Sequence, residues 1–532
     1  MSKGNRFLLD CTLRDGGYVN DWNFGRDTIS YIFDRQLSSN VDAIEIGFLD
    51  ESRVFDPNRT IMPDTESVNK IFGAFDTGDT TIVAMIDFGT CGIERIQPCD
   101  DTCLDGIRVI FKKEKMHEAL DFCGQIKDLG YKVFVQAVSI TSYSTDELKE
   151  LICLVNNLRP YALSMVDTYG LLDSTGLDHI ISIIDKEMLS DIALGYHAHN
   201  NFQLGYANSV SVLNSKTNRN IFVDGSLYGM GKSAGNAPVE LIAMYMNEVF
   251  KKNYNVDQIQ EAISTSILDL YHKQPWGYTL FYYIAALNKC HPNYVSYLMN
   301  KRTLSVTAIN DILKQIPQEK KLDKDMALIE KLYIDYQSRE CDDSCVLSDL
   351  GSELAGKTVL MIGPGKTVTE QSEKIASFIK EKDPVIISVN FIHNDFFPSY
   401  LFLTNTRRYQ QFSRKLVELR NSIPIIATSN LTHSSERFSY VVNYSSLIDE
   451  KAEFPDNSMI MLLKLLKAVG VKDIVLAGFD GYTPDNVNYF DVNMEYSFVK
   501  EKADSLNAVV KNFFNDFDSS ISVNFLTDSY YL

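Results

Sequence analysis

The chain has 532 residues, too long for one ordinary domain at roughly 100 to 200 residues each and suited to two or three. Its 51 Lys and Arg against 70 Asp and Glu give a net charge of -19, which excludes a general nucleic-acid or anionic-membrane binder whose affinity would rest on a basic surface. A composition of 45% hydrophobic and 23% charged residues with 28 Gly and 14 Pro excludes disordered and collagen-like architectures.

Short β-branched or apolar runs recur through the first 225 residues, most of them separated by amphipathic helical stretches, the cadence of repeated βα units. They are Arg6–Asp10, Ala43–Phe48, Thr81–Asp87, Gly106–Phe111, Lys132–Ala137, Ala162–Asp167, Ala193–His199 and Ile221–Asp224. Eight such strands predict a (β/α)8 TIM barrel, whose chemistry lies on the loops at the C-terminal strand ends. Polar residues stand at those ends: Asp10, Glu45, Asp87, Lys112, Gln136, Asp167, His197 with His199, and Asp224. Each taken singly reads equally as a strand-end cap; together they describe one polar mouth. From about Met244 to Cys345 the pattern is helical. After the polar break Cys341–Lys357, a second α/β series begins with strands at Val359–Gly363, Val385–Asn390, Tyr400–Asn405, Ile423–Ser429, Asp473–Gly478 and Ser522–Leu526, which predicts a doubly wound, Rossmann-like sheet. The expected domains are therefore 1–245 (barrel), 246–345 (helical extension) and 350–532 (α/β).

No run of ~18 apolar residues occurs, and MSKGNRFLLDCTLRDGG carries charge where a signal peptide needs an apolar stretch, so a cytoplasmic location is expected. The 9 cysteines form an odd, scattered set that reads as reduced thiols. The pairs Cys99 with Cys103 and Cys341 with Cys345 are too widely spaced, and lack the neighbouring second pair, for an ordinary zinc site.

The sharpest local signal is YHAHNN. Alternation along a strand sends His197 and His199 to one side, half of a divalent-metal site that a carboxylate would complete; the bland reading is two histidines hydrogen-bonded within the mouth. Asp15, in TLRDGG, is the carboxylate candidate, with two glycines permitting a tight turn beside it. Arg14 can grip a carboxylate or stabilise an enolate oxygen. Asn236, in GMGKSAGNAPVE, offers an amide oxygen to the same point.

In this order, TLRDGG, IEIG, VDTYG, YHAHNN and SAGNAP resemble the DRE metallolyase superfamily of barrels, which includes 3-hydroxy-3-methylglutaryl-CoA lyase, isopropylmalate synthase and 4-hydroxy-2-oxovalerate aldolase. The likeness spans roughly residues 5 to 245 and is greatest to the aldolase branch. It implies that Asp15, His197 and His199 ligate a divalent ion, Mn2+ in first place with Mg2+, Co2+ or Zn2+ as alternatives, and that Asn236 completes the sphere. It implies that Arg14 holds the 2-oxoacid carboxylate or the enolate, that Glu45 pairs with Arg14, and that Asp167 and Thr168 line the substrate pocket. One departure is Tyr18, which stands where the aldolases carry their histidine base; a phenol titrating near ~10 needs a lowered pKa to act so. Lys232 adds a cation that either meets an anionic substrate group or faces solvent. The expected activity is a class II, metal-dependent carbon-carbon lyase or aldolase joining or cleaving a 4-hydroxy-2-oxoacid. The alternatives are a Claisen-type acyl-CoA condensation and a structural or regulatory module. A small 2-oxoacid partner and a homodimer or larger homo-oligomer are expected.

In the second half, VLMIGPGKTVTE reads as strand, glycine turn and helix start, an arrangement that presents backbone N–H groups to a phosphate. It lacks the full dinucleotide and Walker fingerprints. With VIISVNFI and YLFLTNTRRY it resembles nucleotide-sugar and pterin-pyrophosphokinase-like proteins of glycan pathways, including sialyltransferase-like folds. That resemblance implies a nucleotide-phosphate pocket from Gly363, Gly365, Asn390, Asn405 and Arg408, and a bifunctional glycan-precursor enzyme as a further alternative; a purely structural domain is equally open.

Overall fold

The computed structural model describes residues 4–301, 304, 306–337, 341–405, 408–409, 423–431, 438–449, 452, 454, 456–485, 487–491, 494 and 498–531. They form two units, Met1–Pro292 and Asn293–Leu532.

The first unit is the closed parallel barrel. Its strands are β1 (Arg6–Asp10), β2 (Ala43–Leu49), β4 (Thr81–Asp87), β5 (Gly106–Phe111), β6 (Lys132–Ala137), β7 (Ala162–Asp167), β8 (Ala193–Ala198) and β9 (Ile221–Gly225), with a two-residue β3 (Ile61–Met62) beside β2. The ring closes where β1 pairs with both β9 and β2, in the register Leu9↔Ala43 and Asp10↔Ile44. These runs are apolar throughout because both faces of a barrel strand are covered. The floor of the interior is an apolar cluster of Leu9, Ala43, Val83, Phe134, Ala162, Ala193 and Phe222, with Phe7 stacked on Phe222 at 4.6 Å between ring centroids.

Since side chains alternate, that floor fixes which residues above it face inward. Glu45, Arg108, Gln136, Ser164 and Asp224 form the next layer, and His197 and His199 lie above it. Asp10 and Asp167 have the opposite parity. Asp10 accepts from the Thr12 N–H (3.1 Å) and hydroxyl (2.8 Å) and from Gln36 Nε2 (3.3 Å), so it braces the β1 loop outside the barrel, and burial pushes its carboxyl up to about 7.

From Val239–Phe250 to Ser344–Leu354 the described residues are helical and contain no strand; the divide between the units falls within this stretch. The second unit carries β10 (Thr358–Ile362), β11 (Val385–Val389), β12 (Tyr400–Leu403), β13 (Ile425–Thr428), β14 (Tyr440–Val442), β15 (Asp473–Ala477) and β16 (Ser522–Phe525), all parallel, in the order β14-β13-β12-β11-β10-β15-β16. The three-residue β14, like the two-residue β3, is not predicted by sequence patterning; each is too short to show a period. Asn457 caps helix Ser458–Ala468, accepting from Met459 N–H at 3.1 Å and Ile460 N–H at 3.3 Å, and that helix buries Met459, Ile460, Met461, Leu462 and Leu463 against the sheet. Among the described residues no helix is long and apolar enough to cross a membrane.

Candidate metal centre and active site

Asp15, His197 and His199 come together: their ligand atoms lie within 4.8 Å of one another, and all three residues are buried. Three pieces of local structure make this happen. The first is the turn after β1. The N–H groups of Arg14 and Asp15 return to the Cys11 carbonyl at 3.2 and 2.8 Å, and Trp22 Nε1 donates to the Arg14 carbonyl at 2.7 Å. A Cβ on Gly17 would lie 2.0 Å from the Trp22 ring, so this glycine admits the indole that braces the turn; a ligand's close approach is not what requires it. The second is β8, which ends at Ala198, one residue sooner than the sequence pattern suggests; His199 N–H still reaches the Asp167 carbonyl of β7 at 3.3 Å, and His199 pairs with Asn236 in an antiparallel bridge. The third is the loop after β9, which that bridge straps across the mouth.

The donors are aimed by partners behind them. His197 Nδ1 lies 3.0 Å from Asp224 Oδ2 and His199 Nδ1 lies 3.1 Å from the Lys232 carbonyl, so both Nε2 atoms face the centre, the usual arrangement of ligating histidines. His197 Nε2 and Asn236 Oδ1 are buried without a hydrogen-bond partner; the Asn236 amide nitrogen is oriented by the Met230 carbonyl at 3.2 Å. Asp15 Oδ1 accepts the Lys232 N–H at 2.9 Å, and Oδ2 is paired with Arg14 Nη1. Burial pushes the Asp15 carboxyl up, but Arg14 and the two histidines outweigh it and hold it well below the usual carboxylate range. Burial pulls His199 down to about 3, leaving a neutral imidazole with a lone pair to give.

Beneath the ligands runs a buried charge network. Arg14 Nε donates to Glu45 Oε2 at 2.7 Å. The same oxygen lies 3.0 Å from Arg108 Nη1, while Arg108 Nη2 pairs with Asp224 and donates to Gln136 Oε1 at 3.0 Å. Glu45, Asp15 and Asp224 are paired with Arg14 and Arg108, and His197 lies between Asp15 (3.3 Å) and Asp224 (3.0 Å), so the dry interior sets three carboxylates against two guanidiniums and an imidazole. Carboxylates gathered beside inward imidazole nitrogens in a dry interior are a donor set that a bound cation would engage. The donor set of two imidazoles, one carboxylate and one amide oxygen suits a divalent metal ion.

The remaining barrel candidates divide. Lys232 Nζ lies over the Tyr18 ring, 5.1 Å from its centroid, and burial lowers its amine. The Tyr18 phenol is raised, first by burial and then by the Asp15 charge, the opposite of what a base in its place needs. Asp167 accepts the N–H groups of Leu171 (2.8 Å) and Leu172 (3.0 Å) with its two oxygens, and Thr168 Oγ1 accepts the Ser139 N–H at 2.8 Å; these two residues shape the loop after β7. Arg108 is the member sequence reasoning missed. Its signal was an arginine on the inward parity of the otherwise apolar GIRVIF.

In the second unit Gly365, Asn390, Asn405 and Arg408 line one pocket of about 490 Å3, and Gly363 does not. The glycine turn is not an open phosphate cradle. Gly363 N–H and Gly365 N–H donate to the Ala477 and Gly478 carbonyls at 2.8 and 2.7 Å, and the Asp480 carboxylate takes both the Thr367 N–H (2.9 Å) and its hydroxyl. The phosphate role expected of that turn is filled by the chain's own acid.

Gly231 gives a first test of the centre. A Cβ there would meet Asn236 Nδ2 at 2.3 Å and Asp15 Oδ1 at 2.7 Å. Gly231→Ala is therefore expected to weaken divalent-ion affinity about 10- to 100-fold, the range for disturbing a ligand's support, with the circular dichroism spectrum unchanged; unaltered affinity in a titration would contradict this placement of Asp15 and Asn236.

Comparison with known proteins agrees with this geometry. The HMGL-like family model matches residues 6–265. Over 260 residues the chain is 25% identical to 4-hydroxy-2-oxovalerate aldolase 2 of Salinispora arenicola (strain CNS-205), covering 48% of this chain and 70% of that protein. It is 23% identical over 276 residues to oxaloacetate decarboxylase of Mycobacterium tuberculosis (strain ATCC 25618 / H37Rv), covering 51% and 80%. It is 24% identical over 259 residues to homocitrate synthase AksA of Methanothermobacter thermautotrophicus (strain ATCC 29096 / DSM 1053 / JCM 10044 / NBRC 100330 / Delta H), covering 48% and 64%. With the closed parallel barrel and the candidate divalent-metal site at its mouth, residues 6–265 are an enzyme domain of the HMGL-like lyase and aldolase superfamily.

Proposed function

We propose that the barrel is a metal-dependent aldolase that makes or breaks the carbon-carbon bond of a 4-hydroxy-2-oxoacid through a pyruvate enolate. The observation that carries this reading is the Arg14 guanidinium fixed beside the Asp15, His197 and His199 cluster by Glu45 and Asp15. Asp15, His197 and His199 would hold a divalent ion, Mn2+ in first place, which would supply Lewis-acid chemistry to a bound 2-oxoacid. Arg14 adds a second, fixed positive charge where the enolate oxygen develops. It needs no reorganisation to do so, since its Nε is already committed to Glu45 and Trp22 holds its carbonyl.

Tyr18 takes a different role from the histidine it replaces. Held protonated at neutral pH, its phenol is suited to donate a proton to the alkoxide oxygen as the aldehyde is consumed, and poorly suited to abstract one. Lys232, over its ring, is placed to balance an anionic group nearby. Tyr18→Phe is expected to lower aldol turnover about 100-fold or more, in the range for losing a general acid, while leaving metal affinity and pyruvate C3–H exchange unchanged. Proton NMR of pyruvate in D2O with and without Mn2+, alongside an aldehyde panel, separates these steps; exchange lost together with turnover would remove Tyr18 from this role.

The homocitrate synthase relative favours a second reading, Claisen condensation of an acyl-CoA with a 2-oxoacid, on the same ligand set. Acetyl-CoA consumption with a 2-oxoacid present, without aldehyde-dependent turnover, would select it. Metal-dependent pyruvate exchange absent under all conditions would defeat the aldolase reading.

A further inference from the structure

The second unit contains a site of its own. Its strand order runs outward from β10 through β11, β12, β13 and β14, then returns to β15 and β16 on the other side of β10. The connections leaving β10 and β15 therefore diverge, and a crevice opens above the carboxyl ends of these strands, where open parallel sheets bind their ligands. The pocket of about 490 Å3 lies there, lined by the loops after β10, β11, β12 and β15, and its volume falls within the usual range of ~300 to 1,000 Å3 for small-molecule sites.

The walls are built before any ligand arrives. Asn390 adopts a left-handed conformation (φ 59), and its side chain donates to Thr404 Oγ1 (3.1 Å) and Ser458 Oγ (2.7 Å) while accepting the Thr404 N–H (3.0 Å). This asparagine ties three segments together and is not spare for recognition. Asn488 clamps its own loop, accepting Thr483 N–H at 2.7 Å. The same loop is joined to the glycine turn by a Gly365↔Tyr489 bridge and by Phe490 N–H donating to the Pro364 carbonyl at 3.1 Å.

Two cations, Arg408 and Lys502, line the pocket together with the carboxylates Asp456 and Asp480, and each cation lies on an aromatic face. The Arg408 guanidinium lies 5.8 Å from the Tyr489 ring centroid and Lys502 Nζ lies 5.7 Å from that of Phe454. Arg408 is buried at 4% exposure and its Nη2 donates to the Met494 carbonyl, so its guanidinium is a positive charge fixed in the cavity wall, of the kind that attracts phosphate oxygens. Because Asp480 occupies the glycine turn, an anion is repelled from the place where a nucleotide-binding fold ordinarily takes it and is drawn toward Arg408 and Lys502 instead. Tyr482 and Tyr531 add planar faces, on which a heterocyclic base stacks.

We propose that this pocket binds a nucleoside phosphate, its phosphate on Arg408 and Lys502 and its base among the tyrosines. The test is calorimetric titration of the full-length protein with CMP, CDP, UMP and AMP, with ribose 5-phosphate and inorganic phosphate as ringless controls. At least one nucleoside phosphate is expected to bind one per chain. Arg408→Met and Lys502→Met are each expected to weaken it about tenfold or more, the equivalent of losing a charged hydrogen bond, whereas Asp15→Asn leaves it unchanged. Lys502 is exposed, so its variant remains informative should Arg408→Met fail to fold. Absence of binding by all four nucleotides, binding indifferent to Lys502→Met, binding abolished by Asp15→Asn, or ribose 5-phosphate binding as tightly as the nucleotides would each overturn the proposal.

Discussion

Replacing His197 with alanine, or Asp15 with asparagine, is expected to lower divalent-ion affinity and turnover by more than about 100-fold, since disturbing only a ligand's support already costs 10- to 100-fold. Both side chains are buried, and their donor atoms share one point with His199. The loss should also appear without any assay of activity. An ion at a hundred times its Kd stabilises the folded state by about 2.7 kcal/mol, which a domain of ~250 residues registers as a rise in Tm of several degrees. The parent protein should show this rise with Mn2+, and neither variant should. Variants that keep both the thermal shift and the turnover would show that the cluster holds no ion.

Arg108→Met is the second large effect, and it separates the network from the ligands. Arg108 is 1% exposed and bridges Glu45, the partner of Arg14, to Asp224, the partner of His197. Burial works against its charge, but Asp224 and Glu45 outweigh it and raise its pKa further. Without it Glu45 keeps only Arg14 and Asp224 only His197 as charged partners in a dry interior, and breaking a buried pair of this kind costs about 3 to 5 kcal/mol. Urea unfolding should register that loss. Metal affinity should fall about 10- to 100-fold as well, because Arg108 no longer fixes Asp224 behind the His197 ring or Glu45 behind Arg14. Arg108→Lys keeps the charge but not the fork, so it should recover much of the stability and less of the metal affinity. Equal recovery of both would reduce Arg108 to a stabilising charge with no part in aiming the ligands.

The barrel was legible because its strands are apolar runs of ordinary length divided by helical periodicity, and because YHAHNN puts two imidazoles on one parity. Parity also separates residues that look alike in the sequence. Asp167 stands at a strand end like Asp224, yet it faces outward and spends its oxygens on Leu171 and Leu172, while Asp224 faces inward and aims His197. A list of strand-end polar residues treats the two alike; counting alternation from Phe134 or Phe222 on the floor would have told them apart and picked out Arg108. The glycine turn of the second unit was beyond such counting. Its glycine N–H groups go to the Ala477 and Gly478 carbonyls and the Thr367 N–H goes to Asp480, all more than a hundred residues away in sequence, and no local pattern announces those partners. Trp22 is similar, since Gly17 reads as a turn glycine until the indole it admits is seen.

The most direct test of the metal centre and its chemistry is a crystal of the protein with Mn2+ and pyruvate, measured for anomalous scattering at the manganese edge. The expected map has one strong peak among Asp15, His197 and His199, with the pyruvate carboxylate and 2-oxo oxygens on its open side and Arg14 against the substrate. A map with no peak there, or with pyruvate bound away from Arg14, would contradict the account.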